Sequence, residues 1–359
     1  MNIIIAGGGT GGHLFPGIAI AREFLRRDPE NKITFIGTTR GIENRVLPKL
    51  GFELKLITIK GFKGKRLLEK IIALCCIPFS FIQSAYYIKK NNADIVIGLG
   101  GYISFPAIIA GMIMKIPTAI HEQNSFPGLS NRILGKITDR IFISSKKSSH
   151  FFKKEKTILS GLPIRKELIQ NNLKEKQNVF SILIVGGSQG SHEINKTVID
   201  TLPELKGIKD RIKFVHQSGE ADRETLIDQY KKNGIDAEVL SFIEDIYTFY
   251  KDARLVISRS GASTLAELAQ CGKASILIPF PYATNNHQEI NALEFVEEGA
   301  SVMITSSRLN GAKLASVIIN LENRPEQINK MGKQAKNLSK PKASERIADE
   351  CYKLTTQKK

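Results

Sequence analysis

The chain has 359 residues, more than one hydrophobic core usually holds, so we expect two domains. Hydrophobic residues make up 42% and charged residues 24% of the sequence, and this balance excludes a largely disordered chain. The net charge of +17 favours an anionic partner, such as nucleic acid, acidic lipid or a phosphorylated substrate, and does not choose among them.

The setting is indicated by features that the sequence lacks. Its four cysteines show no zinc-ligand spacing, and no apolar run reaches the ~18–20 residues of a membrane span. The N-terminus lacks the basic and then apolar pattern of a signal peptide. We therefore expect a reducing, cytoplasmic setting and no transmembrane helix.

Short apolar runs alternate with amphipathic stretches along the whole chain, which predicts βαβ units with parallel sheets. The candidate strands are Asn2–Ala6, Ile33–Ile36, Ile95–Ile97, Thr118–Ile120, Arg140–Ile143, Ser181–Val185, Lys213–His216, Leu255–Ser258 and Ser275–Ile278. The pattern restarts in mid-chain, where SILIVGGSQGSHEIN resembles the opening NIIIAGGGTGGH. This restart favours two similar doubly wound α/β domains over one (β/α)8 barrel.

A polar stretch from Lys146 to Asn178 precedes the restart, and we place the domain boundary inside it, near Leu162–Lys166. The predicted domains are an N-terminal domain of residues 1–163 and a C-terminal domain of residues 164–342. The last helical stretch, within residues 343–359, fits either domain, and we assign it provisionally to the N-terminal domain.

Three glycine-rich turns follow predicted strands: the first glycine loop is Gly7–Gly12, the second is Gly186–Gly190 and the third is Gly98–Gly101. Glycine lets the backbone approach a ligand closely, and a helix N-terminus offers free N–H groups to an anion. Strands of parallel sheets end at one edge, where open α/β folds bind ligands. We therefore expect these turns to line a cleft between two opposed domains.

The first turn also satisfies the G-x-G-x-x-G pattern of dinucleotide-binding loops through Gly7, Gly9 and Gly12. A nicotinamide enzyme additionally needs an Asp or Glu at the end of its second strand. The segment Thr34–Thr39 carries no acid, so the dehydrogenase interpretation loses its support.

Polar residues cluster after three further strands. His121–Asn124 ends one strand, and Ser258–Glu267 leads from another into a helix with small residues and hydroxyls that suit a diphosphate. Glu267 lies about one helical turn further in, within reach of a ribose, although an exposed helix acid explains it equally well. Side-chain amides in the segment Asn285–Asn291 both donate and accept hydrogen bonds, which suits them to bind the hydroxyl groups of a sugar.

Six motifs occur in the order found in the MurG family: GGGTGGHLFPGIAIA, GLGGY, HEQNSFPGLSNR, GGSQGS, SRSGASTLAE and NNHQEINA. The chain thus resembles the UDP-N-acetylglucosamine:muramyl-pentapeptide-pyrophosphoryl-undecaprenol N-acetylglucosaminyltransferases of peptidoglycan synthesis. The resemblance implies a GT-B fold of two Rossmann-like domains, with the donor site in the second. It also implies inverting transfer to the C4 hydroxyl of the muramyl sugar, which converts lipid I to lipid II in cell-wall biogenesis.

The resemblance further implies which residues contact the donor, UDP-N-acetylglucosamine. The implied contacts are Thr10, Gly11, Gly12, Asn124, Arg165, Ser188 and Gln288. The backbone of Ile243 is the implied uracil contact. The implied diphosphate and ribose segment consists of Ala262, Ser263, Thr264, Leu265, Ala266 and Glu267.

Inverting transfer needs a base for the acceptor hydroxyl, and we predict His13, because an imidazole with a pKa of about 6.5 suits proton transfer at neutral pH. Glu122 is the alternative base, and His13 as a helix cap or phosphate contact is a competing interpretation. Backbone N–H groups at Ser260–Ser263, with Arg259 or Arg165, would stabilise the leaving diphosphate. No D-x-D motif occurs, so we expect no bound metal, and we expect no cofactor.

The stretch Ile71–Ile82, IIALCCIPFSFI, is apolar at ten of twelve positions and is flanked by basic residues. A helix carrying it, bent or interrupted at Pro78, would lie on an anionic membrane surface with basic side chains toward the phosphates. A buried core helix is the competing interpretation. We predict a peripheral protein on the cytoplasmic face of the membrane, with a lipid-linked muramyl-pentapeptide acceptor and no nucleic-acid partner.

Three other functions compete with this prediction. The first is a UDP-sugar transferase of the same fold that acts on diacylglycerol. The second is a UDP-N-acetylglucosamine 2-epimerase, which needs no membrane face, and the third is a non-catalytic nucleotide-binding module. The apolar stretch argues against the epimerase, and the co-occurrence of the GGH and HEQN motifs argues against the binding module.

Overall fold

The computed structural model describes residues 1–39, 41–59, 67–164, 179–187 and 189–357. Its strands are β1 (Asn2–Ala6), β2 (Lys32–Gly37), β3 (Glu53–Leu56), β4 (Ile95–Gly98), β5 (Thr118–Glu122), β6 (Arg140–Ile143), β7 (Thr157–Leu159), β8 (Phe180–Val185), β9 (Ile212–Gln217), β10 (Asp236–Leu240), β11 (Leu255–Ser258), β12 (Ala274–Leu277) and β13 (Ser301–Met303).

The α-helices within the same residues are α1 (Gly11–Arg27), α2 (Glu43–Val46), α3 (Leu67–Lys90), α4 (Gly101–Ile113), α5 (Leu129–Leu134), α6 (His192–Thr201), α7 (Arg223–Asn233), α8 (Ile246–Asp252), α9 (Ala262–Cys271), α10 (His287–Glu297), α11 (Gly311–Glu322), α12 (Pro325–Asn337) and α13 (Ala343–Gln357). Short 3-10 helices cover Pro48–Leu50, Lys146–Phe151, Lys154–Lys156, Leu202–Arg211, Thr284–Asn286 and Ser306–Arg308.

The chain divides into two units, residues 1–165 with 340–359, and residues 166–339. The described strands of the first unit form a seven-stranded sheet in the order β3-β2-β1-β4-β5-β6-β7. Those of the second form a six-stranded sheet in the order β10-β9-β8-β11-β12-β13. All these strand pairs are parallel. The predicted α/β fold with parallel sheets is therefore confirmed.

The central strand β1 shows how the first unit is built. Successive side chains on a strand point to opposite faces, so Ile3 and Ile5 pack into one hydrophobic cluster with residues of α1. Ile4 and Ala6 pack into a second cluster with residues of α4. Because both faces of the sheet are covered, its inner strands are apolar at nearly every position, as buried parallel strands are.

The C-terminal helix α13 packs on the first unit. Ile347, Ala348 and Cys351 are buried in the same cluster as α1. At the surface, the Arg27 guanidinium donates to the Asp349 carboxylate at 2.6 Å and to the Glu345 carbonyl oxygen at 2.8 Å. The last helix therefore completes the layer that covers one face of the first sheet.

Helix α3 carries the apolar stretch that the sequence singled out. It runs from Leu67 to Lys90 and contains Pro78, so of the bend or interruption expected at this proline, the interruption does not occur. A proline removes one N–H group from the helix, and the other hydrogen bonds of a long helix remain available. Among the described residues, no helix is long and apolar enough to cross a membrane.

Candidate functional site

The first glycine loop joins β1 to α1. It ends at Thr10, the extended N-cap residue of α1, whose hydroxyl makes no capping hydrogen bond to the backbone. His13 lies in the first turn of α1, where its Nδ1 is 3.3 Å from the Thr10 hydroxyl oxygen. The predicted residues Gly11 and Gly12 form the start of the same turn.

The third glycine loop supports the His13 ring. Gly100 and Gly101 have φ values of 88° and 72°, in the left-handed region that favours glycine. A Cβ atom on Gly100 would lie 3.1 Å from the Asn131 side-chain nitrogen and 3.4 Å from His13 Nε2. A side chain at this position would therefore crowd the Asn131 amide and contact the imidazole.

The polar segment His121–Asn124, which starts within the last two residues of β5, begins with a buried histidine. His121 Nε2 lies 3.1 Å from the Gly161 carbonyl oxygen, and its Nδ1 lies 3.2 Å from the Gln123 side-chain nitrogen. A neutral ring fits both contacts, with Nε2–H donating and Nδ1 accepting. Burial lowers the pKa of His121 to about 4, so the ring is neutral at physiological pH.

Glu122 is 2% exposed, and its carboxylate organises the loop that follows. One oxygen accepts from the backbone N–H of Asn124 at 2.9 Å and from its side-chain amide at 3.3 Å. The other accepts from the Gly128 N–H at 3.1 Å and from the Asn131 amide at 2.8 Å. Burial raises the pKa of Glu122. Both carboxylate oxygens of Glu122 are therefore occupied by protein donors.

In the second unit, Arg259 connects two loops. One terminal nitrogen donates to the carbonyl oxygens of Ile278 and Pro279, both at 3.2 Å. The other donates to the Ser191 hydroxyl at 2.8 Å and to the Glu193 carboxylate at 2.7 Å. The sequence offers Arg259 or Arg165 to stabilise a leaving diphosphate. Through these four acceptors, Arg259 joins the start of α6, directly after the second glycine loop, to the segment that follows β12.

The N-terminus of α9 follows β11 and is open. Its N-cap residue Gly261 has no side chain to accept from the first turn, and no acidic residue lies in that turn. The unpaired N–H groups and the helix dipole therefore favour an anion beside Ala262, Ser263 and Thr264. In the next turn, the buried Tyr250 hydroxyl donates to the Glu267 carboxylate at 3.2 Å.

Gln288 lies in the first turn of α10, which begins at His287. Its side-chain oxygen accepts from the Phe280 N–H at 3.0 Å, and its carbonyl oxygen accepts from the Ser260 hydroxyl at 2.8 Å. Just before this helix, Asn285 and Asn286 both adopt left-handed backbone conformations, with φ values of 53° and 55°. These bonds place Gln288 beside the loop that enters α9.

Sequence reasoning missed Gln217. Its side-chain oxygen accepts from the backbone N–H of Ile243, the predicted uracil contact, at 3.2 Å. Its side-chain nitrogen donates to the Gly187 carbonyl oxygen in the second glycine loop. The available signal was its position at the carboxyl end of β9, where polar residues of open α/β folds approach ligands.

The described residues of the predicted site thus fall into two groups. Residues of the first and third glycine loops and of the segment after β5 lie in the first unit, and the α9, α10 and Ile243 residues lie in the second. Arg165 and Ser188 lie outside the described residues.

Comparison with known proteins agrees with this organisation. The model of the glycosyltransferase family 28 N-terminal domain matches residues 3–143, and that of the C-terminal domain matches residues 181–347. A crystal structure of Acinetobacter baumannii MurG has a TM-score of 0.82 and 27% sequence identity, covering 98% of this chain and 99% of that one. A UDP-N-acetylglucosamine 2-epimerase structure has a TM-score of 0.67 at 14% identity, which shows the fold alone.

Two curated relatives match over nearly their whole length. The protein from Myxococcus xanthus is 45% identical over 99% of this chain and 94% of the relative. That from Syntrophus aciditrophicus is 46% identical over 99% of both chains. Both are named UDP-N-acetylglucosamine--N-acetylmuramyl-(pentapeptide) pyrophosphoryl-undecaprenol N-acetylglucosamine transferase.

The two parallel-sheet units and these matches define a glycosyltransferase of the GT-B class. Within glycosyltransferase family 28, the chain belongs to the MurG family, and the predicted membership is confirmed.

A buried polar chain lies beneath the second glycine loop. His216 contacts the Tyr230 hydroxyl through Nδ1 at 3.1 Å and the Asn195 side-chain oxygen through Nε2 at 3.0 Å. The Asn195 amide donates in turn to the Asp222 carboxylate at 2.8 Å. Burial lowers the pKa of His216 to about 3, so this network contains a neutral imidazole.

Stability should therefore fall in mild acid. Because the pKa values of His121 and His216 lie below the ordinary 6.5, the folded state binds fewer protons than the unfolded state between pH 6.5 and about 4. Each histidine adds a slope of about 1.4 kcal/mol per pH unit in this window, with stability lost as the pH falls. The raised pKa of Glu122 acts in the opposite direction, since it favours the folded state at low pH.

Urea unfolding of wild type and His216→Gln is compared at several pH values between 7 and 5. The comparison separates the contribution of His216 to the pH dependence of stability from that of the other titrating groups. We expect the slope of unfolding free energy against pH to be smaller in the variant, by up to about 1.4 kcal/mol per unit. Equal slopes would show that His216 does not titrate between the folded and unfolded states as its burial requires.

Proposed function

We propose that this protein transfers N-acetylglucosamine from UDP-N-acetylglucosamine to a lipid-linked N-acetylmuramyl-pentapeptide, the activity for which its relatives are named. The observation that carries the proposal is the open N-terminus of α9, with Glu267 one turn further on and Gln288 beside the loop before it. This arrangement has the parts that a sugar diphosphate requires: an anion site flanked by side chains for hydroxyl groups.

The donor is assigned to the second unit. Its diphosphate lies at the first turn of α9, its ribose at Glu267 and its sugar at Gln288. Uracil meets the backbone at Ile243, which Gln217 holds in place through the Ile243 N–H. The tyrosine behind Glu267 and the Phe280 N–H behind Gln288 fix these two side chains before the ligand arrives. Such preorganisation reduces the entropy lost on binding.

The reaction is a single displacement. The C4 hydroxyl oxygen of the muramyl sugar forms a bond to the anomeric carbon, the bond from that carbon to the diphosphate oxygen breaks, and UDP leaves with the electron pair. His13 takes the hydroxyl proton, since its ring is half-buried at a helix start whereas Glu122 is buried under four donors. The N–H groups of α9 stabilise the charge that develops on UDP.

Peripheral docking on the cytoplasmic face of an anionic membrane belongs to the same proposal. On α3, Phe79, Ile82 and Tyr86 are 53%, 61% and 55% exposed, and their spacing places them on one helix face. Ile113 on α4 and Leu129 on α5 are also exposed. Helix α4 packs against both α3 and α5, so these two side chains add exposed apolar area on helices next to α3 or one helix further on. An exposed apolar surface of this kind marks an interaction site.

Lysines accompany this apolar surface. Lys89 and Lys90 end α3 and are exposed. Each basic residue near an anionic membrane contributes about 1 kcal/mol, which gives reversible, salt-sensitive binding when combined with apolar contact. The acceptor's lipid tail gives such docking its purpose, since its reactive sugar stays close to the bilayer.

Transfer of labelled sugar from UDP-N-acetylglucosamine to lipid I tests the activity, and His13→Ala tests the base. We expect wild type to form lipid II, with UDP as the other product. The variant should lose kcat by about 10²-fold or more while binding UDP normally, because general base catalysis contributes about 10²–10⁴-fold. Transfer to diacylglycerol alone would support the other acceptor class. An unchanged kcat in the variant would remove His13 from this role.

The donor assignment predicts different losses for two variants. Glu267→Ala should weaken UDP and UDP-N-acetylglucosamine alike, since both contain ribose. Gln288→Ala should weaken only the intact UDP-sugar, because its contact is to the sugar. Calorimetric titration of each variant with both ligands measures this difference. Parallel losses in the two variants would contradict the division of contacts between α9 and α10.

The membrane assignment predicts opposite effects for neighbouring residues of α3. Phe79→Ser combined with Ile82→Ser should lower flotation with anionic vesicles and leave the melting temperature nearly unchanged. Phe81 packs against the buried cluster under α3, so Phe81→Ser is the matched control and should lower the melting temperature instead. If the double variant melts early and the folded fraction still floats, the exposed face of α3 is not the membrane contact.

A further inference from the structure

Glu43 is a fully buried acid that the proposed reaction does not use. It begins α2, and its carboxylate points at the first glycine loop. One oxygen accepts from the Gly9 backbone N–H at 2.7 Å. The other accepts from the Thr38 N–H at 2.9 Å and from the Thr38 hydroxyl at 3.1 Å. A single side chain therefore joins the glycine loop to the end of β2.

The surrounding glycines make room for this carboxylate. A Cβ atom on Gly8 would lie 2.5 Å from the Glu43 carboxyl carbon, and one on Gly37 would lie 2.6 Å from its Cγ. Gly41 is packed even more tightly against the same side chain. The sequence predicts that the glycine residues of this loop let its backbone approach a ligand closely. At Gly8 the structure shows that the space belongs to Glu43.

The contact with Gly9 bears directly on His13. Gly9 has a φ of 79° and immediately precedes Thr10, whose hydroxyl oxygen lies 3.3 Å from His13 Nδ1. Moving Gly9 would therefore move the start of α1 and the imidazole with it. A negative charge bonded to the Gly9 N–H also disfavours a second anion there, because the Glu43 carboxylate already occupies this donor and like charges repel.

We propose that Glu43 is a positioning residue for the transfer reaction: its carboxylate is the built-in anion of the first glycine loop, orients His13 through Gly9 and Thr10, and keeps phosphate away from Gly9. The kinetic part rests on the proposed function, whereas the effect on His13 does not. Exclusion of phosphate from Gly9 also agrees with the proposal that the donor diphosphate binds in the second unit.

Glu43→Gln is the direct test, because it keeps the volume of the side chain and replaces one acceptor oxygen with an N–H₂ group that faces a donor. Glu43→Asp keeps the charge with a shorter reach. Glu53→Gln is the matched control. Glu53 lies in the same unit and accepts a hydrogen bond of 2.7 Å from the Thr34 hydroxyl, and this bond does not involve the loop that carries His13. Each variant is compared by histidine-ring NMR, kinetics and melting temperature in the full chain.

We expect Glu43→Gln to shift the ring signals of His13 and to leave those of His192, in the second unit, unchanged. Its kcat should fall about 10- to 100-fold at an unchanged KM for UDP-N-acetylglucosamine, as misplacement of a reacting group does. Glu43→Asp should recover part of this loss, and Glu53→Gln should match wild type.

A folded Glu43→Gln with wild-type His13 signals would overturn the proposal. So would a loss of kcat that follows the melting temperature equally in all three variants, since Glu43 would then be a structural support alone. If Glu43→Gln does not fold, Glu43→Asp shortens the reach of the carboxylate to the Gly9 N–H, and wild-type His13 signals in that folded variant would also overturn it. If wild type transfers no sugar, the proposed function fails while the NMR comparison still decides the role of Glu43.

Discussion

The parallel direction of the strands is the constraint on which the rest of the structure depends. Each strand of a parallel sheet must be followed by a crossover, so carboxyl ends of strands and N-termini of helices meet at one edge. Here β1 leads to α1, β4 to α4 and β11 to α9, each through a glycine-containing turn. The candidate site residues of each unit come from such turns, and their chemistry is that of open helix N-termini.

A second theme is that buried polar groups hold these turns. Glu43, Glu122 and Arg259 are charged residues with little exposure, and each makes several hydrogen bonds to backbone or side-chain groups of a site loop. A buried charge is tolerated only when it is bonded in this way, and removing a partner is costly. The same bonds restrict the loop to one conformation, which catalysis requires before the substrate binds.

The sequence predicted the interior of both sheets and missed their edges. All nine candidate strands exist, and the four that were not foreseen, β3, β7, β10 and β13, are the outermost strands of the two sheets. Edge strands are half-covered, so segments such as ELKL in β3 and DAEVL in β10 lack the continuous apolar run that marks a buried strand. The packing of α13 on the first unit likewise follows from contacts that no local pattern contains.

The candidate site was predictable where a motif carries it and not where distant residues complete it. The glycine loops, the segment after β5 and the start of α9 stand out as short patterns. Glu43 reaches Gly9 across 34 positions, and Gln217 reaches Ile243 across 26, so neither pairing has a local signature. The exposure of individual side chains on α3 also required the fold, since Phe79 and Phe81 differ in environment within one apolar run.

The central claim is that the donor diphosphate binds at the start of α9, in the second unit, and not at the first glycine loop. A crystal structure of the protein with UDP-N-acetylglucosamine tests this most directly. The account predicts phosphate oxygens within hydrogen-bonding distance of the backbone N–H groups of Ser263 and Thr264, with the ribose at Glu267 and the sugar at Gln288. Phosphates bound at Gly9, with the start of α9 empty, would contradict it.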